Sequence, residues 1–233
     1  VKLSPIDIAS LASEAMVSIF GDLVGDPRYL SPEKIEGRPV ELRVMALGGG
    51  RSVTLASGVE ASEFPSWSAD GRHLAYAAGS PIRVWTVSAA GGQPQELTPD
   101  GGDYPRWSPD GRWIAYVVWT DASDPDQGAW VVPSGGGTPR QVSSHPTQLG
   151  WSPDGRLLWQ LRRNGDELEL WEAEVEGWTW QRRSVLMLGE TPAPYMEHLP
   201  FTVDPTSGRP LLNRRMFNST LVLFSGVEPD RWR

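Results

Sequence analysis

The sequence predicts an all-β fold, a β-propeller of about four blades, complete or partial, after a short helical or irregular N-terminal segment. The phrase Trp-Ser-x-Asp-Gly-Arg occurs three times, beginning at Trp67, Trp107 and Trp151. The copies are 40 and 44 residues apart, which is the length of one four-stranded propeller blade. The 25 Gly, 21 Pro and 12 Trp among 233 residues also favour many short strands and tight turns.

Each copy of the phrase is predicted to be a tight turn between two strands. The Trp ends the first strand, the Asp side chain accepts hydrogen bonds from nearby backbone N–H groups, and the Gly takes a positive φ. Because these residues recur at one position of the repeat, we assign them structural roles. They are Trp67, Asp70, Gly71, Trp107, Asp110, Gly111, Trp151, Asp154 and Gly155.

Hairpins with glycine-rich turns are expected to complete the blades. The predicted outer strand pairs are residues 82–87 with 95–98, 129–132 with 140–143, and 168–175 with 178–188. Residues 40–56 show the same alternation around Gly48, Gly49 and Gly50, a run without the Lys-Ser/Thr of a phosphate loop. A degenerate hairpin over residues 199–213 would close one blade with residues 40–56, and residues 221–224 would form the last strand.

Residues 1–39 lie outside the repeat. Apolar residues at helical spacing over residues 9–20 predict one short amphipathic helix. The helix would be followed by a polar segment that leads into the first strands. The sequence therefore divides into a leader over residues 1–39, a propeller over residues 40–224 and a tail over residues 225–233.

Residues 25–39 resemble the end of the activation segment of bacterial Ser/Thr protein kinases. Ser31, Pro32 and Glu33 match the Ala-Pro-Glu element of that family. Residues 5–7 read Pro-Ile-Asp where the family has Asp-Phe-Gly, and the upstream motifs needed for phosphoryl transfer are absent from this sequence. The resemblance implies the remnant of a kinase lobe and no enzyme activity; a polar leader with a chance Ser-Pro-Glu is the alternative.

Residues 40–224 resemble TolB-like β-propeller repeats, because the repeated phrase is followed each time by a hairpin. The resemblance implies the fold and leaves the function open, since such propellers serve as partner platforms, as sensory halves of kinases and as gating domains of peptidases. A kinase-like leader before these repeats is similar to bacterial Ser/Thr kinases that carry a C-terminal propeller. We therefore expect a bacterial signalling protein.

The charge and the composition exclude several classes of partner. A net charge of −8 and a pI near 4.9 argue against binding to nucleic acid or to an anionic membrane. The absence of Cys excludes disulfides and thiolate metal sites. The sequence has neither a membrane-spanning apolar stretch nor a secretory signal, so we expect a soluble protein, cytoplasmic by default.

No catalytic residue, cofactor site or metal site is predicted. Asp121, Asp124 and Asp126 gather in one loop and are a weak candidate for calcium, but their spacing fits no known calcium loop and favours a solvated acidic insertion. The three histidines lie far apart in sequence, so they do not indicate zinc, and no Gly-x-Ser-x-Gly nucleophile elbow accompanies them. They are His73, His145 and His198.

Five tryptophans exceed the needs of the repeat and either pack the blades or form an aromatic binding patch. They are Trp119, Trp130, Trp171, Trp178 and Trp180. The favoured function is a non-catalytic platform for a protein or peptide partner, with loops 99–104 and 120–128 presenting polar and acidic groups. The alternatives are a truncated piece of a Ser/Thr kinase and a propeller that gates a hydrolase.

Overall fold

Antiparallel β-strands account for every regular element of the computed structural model, which describes residues 15–18, 41–46, 52–57, 65–121, 123–165, 167–187, 201–203, 210–215 and 221–223. A helix able to cross a membrane is not found in that part of the chain. The chain divides into two units, residues 1–105 and residues 106–233. The all-β prediction is confirmed.

The first unit contains a three-stranded sheet and a four-stranded sheet. The first sheet has the order β1-β2-β3, with strands Ala15–Ser18, Glu41–Ala46 and Val53–Ser57. The second has the order β4-β5-β6-β7, with strands Ser66–Trp67, His73–Ala78, Arg83–Ser88 and Gln95–Glu96. The repeated turn joins β4 to β5.

Two predictions about the ends of the propeller are wrong. Ala15–Ser18 is a strand and not part of a helix, and it pairs antiparallel with β2 from Ala15↔Ala46 to Ser18↔Arg43. The edge of β2 opposite β3 is thus hydrogen-bonded to β1 and not to a strand from residues 199–213. Tertiary pairing overrides the local helical spacing, because an unpaired strand edge leaves backbone groups without partners.

The second unit contains the other two repeats and the degenerate hairpin. One sheet has the order β8-β9-β10-β11, and the next has the order β12-β13-β14-β15. Strand β8 crosses the boundary between the units. Strands β8 to β15 are Asp103–Trp107, Trp113–Val118, Gly128–Pro133, Arg140–Ser143, Leu149–Trp151, Leu157–Asn164, Glu167–Glu174 and Trp180–Met187.

The hairpins predicted within the repeats are confirmed, with boundary shifts of a few residues. The degenerate hairpin is also confirmed, since Phe201–Val203 (β16) pairs antiparallel with Pro210–Arg215 (β17). Leu221–Leu223 (β18) pairs with β17. These last three strands form a sheet of their own, and none of their described residues pairs with a strand from residues 40–56, contrary to the predicted shared blade.

A buried serine hydroxyl organises each repeated turn. In every copy the Ser Oγ donates to the Asp Oδ1 at 2.6 Å and accepts the backbone N–H five residues later at 2.9 to 3.0 Å. The same Asp Oδ1 accepts the N–H of the following Arg. The glycines have φ of 68°, 75° and 70°. The serines, which are 6%, 0% and 5% exposed, are Ser68, Ser108 and Ser152.

The hydrogen bonds in the turns favour ionised aspartates. The hydrogen bond from the Ser68 hydroxyl, followed by that from the Arg72 N–H, holds the pKa of Asp70 below its ordinary value. The corresponding hydrogen bonds lower the pKa of Asp154. The turn is therefore a closed network in which the hydroxyl acts as both donor and acceptor.

Apolar side chains between neighbouring sheets form a separate core in each unit. In the first unit, Leu42 and Leu55 pack with Leu74, Tyr76 and Val87. In the second unit, Trp178 lies edge-on to two other tryptophans, at 6.0 and 6.3 Å between ring centroids. These partners are Trp113 and Trp151. The repeat tryptophan of the third copy is thus a core residue.

Two glycines of the repeated turn should differ in their response to substitution. A Cβ at Gly111 would meet nothing within 4 Å, whereas one at Gly155 would lie 3.3 Å from the backbone N of Asp110. We expect Gly111→Ala to cost about 1 kcal/mol of unfolding free energy through its positive φ alone, and Gly155→Ala to cost at least about twice as much. Urea denaturation of the two variants tests this, and equal losses would contradict the packing described for Gly155.

Candidate functional site

Several of the predicted positions do not form a site that the structure describes. The kinase-like residues Ser31, Pro32 and Glu33 lie outside the described residues, as do His198 and the glycine run 48–50. The repeated Trp, Asp and Gly residues lie in the turns described above. The kinase resemblance therefore stays a prediction.

The carboxylates of loop 120–128 are directed to their own backbone. Asp121 Oδ1 accepts the N–H and the hydroxyl of Ser123 at 2.9 and 2.7 Å, and these bonds lower its pKa. Asp124 Oδ1 accepts the N–H of Asp126 at 2.9 Å. Across the described part of the chain, no three His, Asp or Glu side chains are grouped as metal ligands. The geometry is that of an acidic loop stabilised by local turns.

The five additional tryptophans occupy different settings and do not form a single patch. Trp178 is a core residue, and Trp119 is 38% exposed. Trp130 lies 6.5 Å from the Tyr116 ring and donates its indole N–H to the Asp126 carbonyl. The other two, Trp171 and Trp180, flank Arg162.

A cleft of about 530 Å³ opens in the first unit beside strand β3. Strand β3 is the outer strand of its sheet, so within the described residues one of its edges is not paired. The walls combine this strand with side chains of β5 and β6 and with the turn before β7. The lining residues are Thr54, Leu55, Ala56, Ser57, Tyr76, Ala78, Gly79, Trp85, Gly92, Gln93 and Pro94.

Tyr76 brings a polar group to the wall of this cleft. Its side chain is 3% exposed, and burial raises the pKa of its hydroxyl to about 12. It is therefore a neutral phenol at physiological pH. Its hydroxyl makes no hydrogen bond in the described structure, whereas the neighbouring Trp85 donates its indole N–H to the Ala78 carbonyl at 3.3 Å.

A second polar site lies in the second unit, between the sheets β8–β11 and β12–β15. We call it the polar seam and define it by Ser143, His145, Gln160, Arg162, Glu169, Trp171 and Trp180. Gln160 is 0% exposed. Its Oε1 accepts the Ser143 hydroxyl at 2.9 Å and the Arg162 Nε–H at 3.0 Å, and its Nε2 donates to the His145 carbonyl at 2.6 Å.

The Arg162 guanidinium contacts two indole rings of the polar seam. Its guanidinium carbon lies 4.2 Å from the centroid of Trp171 and 5.1 Å from that of Trp180. Trp180 in turn donates its indole N–H to the Val142 carbonyl at 2.6 Å. The contacts with the two indole rings and the hydrogen bond to Gln160 fix the orientation of the guanidinium.

Glu169 is buried in the polar seam, and its carboxylate accepts hydrogen bonds from donors other than Arg162. Its carboxylate accepts the Trp171 indole N–H at 2.8 Å and Arg182 at 2.9 Å. These two bonds lower its pKa, in that order of importance. Asn164 adds a longer contact of 3.5 Å. The closest ion pair of Glu169 is therefore with Arg182 and not with Arg162.

His145 lies at one end of the polar seam. Partial burial lowers its pKa, the positive charge of Arg162 lowers it further, and Glu169 acts in the opposite direction. The ring is therefore neutral over most of the physiological range.

The sequence analysis missed both the cleft and the polar seam. A comparison of the repeats at matched positions would have indicated the seam, because Tyr76 and Tyr116 are aligned with Gln160, and Ala78 and Val118 with Arg162. The cross-strand pairs Tyr76↔Trp85, Tyr116↔Trp130 and Gln160↔Trp171 confirm this alignment. The cleft depends on tertiary packing and leaves no such signal.

Comparisons with known proteins place the fold. No family model and no curated protein matches the chain. Among solved structures, TolB from Acinetobacter baumannii is 12% identical, with a TM-score of 0.64 over 90% of this chain and 49% of its own. An oligogalacturonate lyase in complex with manganese is 13% identical, with a TM-score of 0.57 over 76% of this chain and 54% of its own. This is a TolB-like β-propeller fold.

A chain of the nidogen/laminin complex is also similar to this propeller. It is 12% identical, with a TM-score of 0.54 over 74% of this chain and 66% of its own. The propeller chain studied here spans about half to two thirds of the length of these three proteins. At such identities the similarity establishes the fold alone.

Removing the charge of Arg162 should raise the pKa of His145. We expect the Arg162→Gln variant to show a higher value by NMR titration of the ring, still below the ordinary 6.5 because burial persists. A depressed pKa also means that stability falls as pH drops below 6.5 toward the folded-state pKa, since the unfolded chain binds the proton more readily. Arg163→Gln, on the opposite face of β13, is the control. An unchanged pKa of His145 in the Arg162→Gln variant would contradict the effect assigned to the Arg162 charge.

Proposed function

We propose that the chain is a non-catalytic binding platform that holds an extended peptide segment of a protein partner in the cleft beside β3. The observation that carries this proposal is the combination of an aromatic wall with a strand edge that is not paired among the described residues. A peptide that adds to a sheet edge gains main-chain hydrogen bonds, and adjacent pockets select its side chains. The cleft offers both elements within one unit.

The lining of the cleft specifies the chemistry of the segment. None of its residues is charged. Trp85 and Pro94 supply apolar surface, while the Tyr76 hydroxyl can donate a hydrogen bond to a peptide carbonyl. The favoured ligand is therefore an uncharged, extended segment with small or apolar side chains.

Strand β3 has one irregularity that limits where a peptide can pair. The register with β2 shifts between Leu42 and Arg43, which leaves Leu55 as an extra residue on β3. Leu55 is 4% exposed and packs in the core, whereas Thr54 and Ser57 are exposed. A bulge interrupts regular pairing. We therefore expect only a few main-chain hydrogen bonds between β3 and the peptide, with the aromatic wall of Tyr76 and Trp85 supplying much of the affinity.

The solved structures support a platform through their fold and through one printed description. The nidogen/laminin chain comes from a complex of two proteins. The lyase keeps an enzyme association open as an alternative. The bacterial signalling origin, the kinase fragment and the hydrolase-gating role stay predictions, as do partner contacts through loops 99–104 and 120–128. Nucleotide binding with phosphoryl transfer by the purified chain would favour the kinase alternative.

Peptides selected on the purified chain from a random 12-residue library (a length of about 12 suits one strand and its flanks) test the proposal. We expect Tyr76→Phe to lower the affinity for the selected peptide by roughly three- to tenfold, which corresponds to one hydrogen bond, without lowering the melting temperature of the protein. The physical reason is that the Tyr76 hydroxyl has no hydrogen-bond partner among the described residues of the unbound chain. Fluorescence anisotropy gives the affinities.

Two controls make the result specific. Tyr116→Phe changes the aligned residue of the next repeat, which does not line the cleft, and should leave peptide affinity unchanged. N-methylation of the central backbone amides of the peptide should weaken binding, because it removes main-chain donors that pair with β3. A peptide affinity that changes neither with Tyr76→Phe nor with N-methylation would contradict docking beside β3.

A further inference from the structure

The third repeat departs from the other two at buried positions. Where the first two repeats have Tyr76 and Tyr116, the third has Gln160, and Ala78 and Val118 are replaced by Arg162. Ala78 and Val118 are 9% and 8% exposed, so the repeat normally places a small or apolar side chain there. A polar residue that breaks the local rule at such a position is typical of a functional site.

The Arg162 guanidinium has donors that the protein does not use. Of its five N–H groups, Nε–H bonds to Gln160 at 3.0 Å and one on Nη2 makes a longer contact of 3.4 Å with the Ser143 hydroxyl. The remaining three have no acceptor among the described residues. Two indole rings lie against the guanidinium, with their centroids 4.2 and 5.1 Å from its central carbon.

The charge of Arg162 also lacks a directly bonded counter-ion. In the described structure no carboxylate lies within ion-pair distance of it, because Glu169 is bonded to Trp171 and Arg182. Burial lowers the pKa of Arg162, and the charge of Glu169 opposes this effect only in part, so holding the cation in this half-buried place has a net cost. A partly buried cation is stabilised when a charged acceptor completes its hydrogen bonds.

We propose that Arg162 and the indole walls of Trp171 and Trp180 form a binding site for a peptide carboxylate, an Asp or Glu side chain or a chain terminus. The planar fork of the guanidinium matches a carboxylate in a bidentate arrangement. This site lies on residues other than those of the cleft, so it goes beyond the proposed function and can be tested independently of it.

A carboxylate fits this site better than a phosphate. One guanidinium supplies a single positive charge, and the buried Glu169 carboxylate close by repels a second negative charge on the ligand. Arg182, the other nearby cation, is already paired with Glu169 at 2.9 Å. The site is therefore matched to a singly charged, planar anion.

The test uses three probes on the ¹⁵N-labelled full chain: N-acetyl-glutamate N-methylamide, its neutral glutamine counterpart, and inorganic phosphate at equal ionic strength. The indole N–H signals of Trp171 and Trp180 report on the site. We expect saturable shifts with the glutamate probe and affinity at least about tenfold weaker for the other two. Equal responses to the glutamate and glutamine probes, tighter binding of phosphate, or no saturable shift would each overturn the proposal.

Variants of Arg162 test whether its guanidinium is the group that binds the carboxylate. Arg162→Gln should abolish the response to the glutamate probe, and Arg162→Lys should retain only part of it, because an ammonium keeps the charge without the fork. Arg163→Gln, on the opposite face of β13, should respond as the native chain does. Shifts that persist in a folded Arg162→Gln would contradict the site. Should that variant fail to fold, the comparison of the three probes on the native chain decides alone.

Discussion

The hydrogen bonds of one buried serine hydroxyl hold each repeat together. In Ser68, Ser108 and Ser152 this hydroxyl donates to the turn aspartate and accepts the backbone N–H that opens the next strand. That N–H is partly buried, so leaving it without a partner would cost about 1 kcal/mol, and the strand pair depends in part on this bond. Each copy of the turn therefore belongs to a four-stranded sheet, and the apolar faces of neighbouring sheets form the cores.

Both proposed binding sites lie where the structure departs from this repetition. The cleft forms where β3, whose outer edge is unpaired in the part of the chain that the structure describes, meets the aromatic pair Tyr76 and Trp85. The polar seam forms where the third repeat places Gln160 and Arg162 in positions that are apolar or aromatic elsewhere. The repeated turns fix the strand pairs, and the two sites add polar side chains that the turns do not require. This division of roles is common among folds that serve many functions.

The sequence predicted the features that depend on local chemistry. The phrase Trp-Ser-x-Asp-Gly specifies its own turn, because the Asp and Gly requirements are met within a few residues. The strand at Ala15–Ser18 was missed because its pairing with β2 is a long-range contact that short periodicity does not encode. The cleft was missed for the same reason. The role of Arg162 depends on stacking with Trp171 and Trp180 on other strands, and only a repeat-by-repeat comparison would have marked it as unusual.

Amide hydrogen exchange with and without a library-selected peptide tests the central claim, that the cleft beside β3 receives the partner. The account predicts slower exchange in residues 52–57 and in the cleft-lining residues Gly92 and Gln93 when the peptide is bound, because main-chain bonds and burial protect those amides. Exchange in loop 120–128 should not change. Protection confined to that loop, with residues 52–57 unaffected, would contradict the claim and locate partner binding at the acidic loop instead.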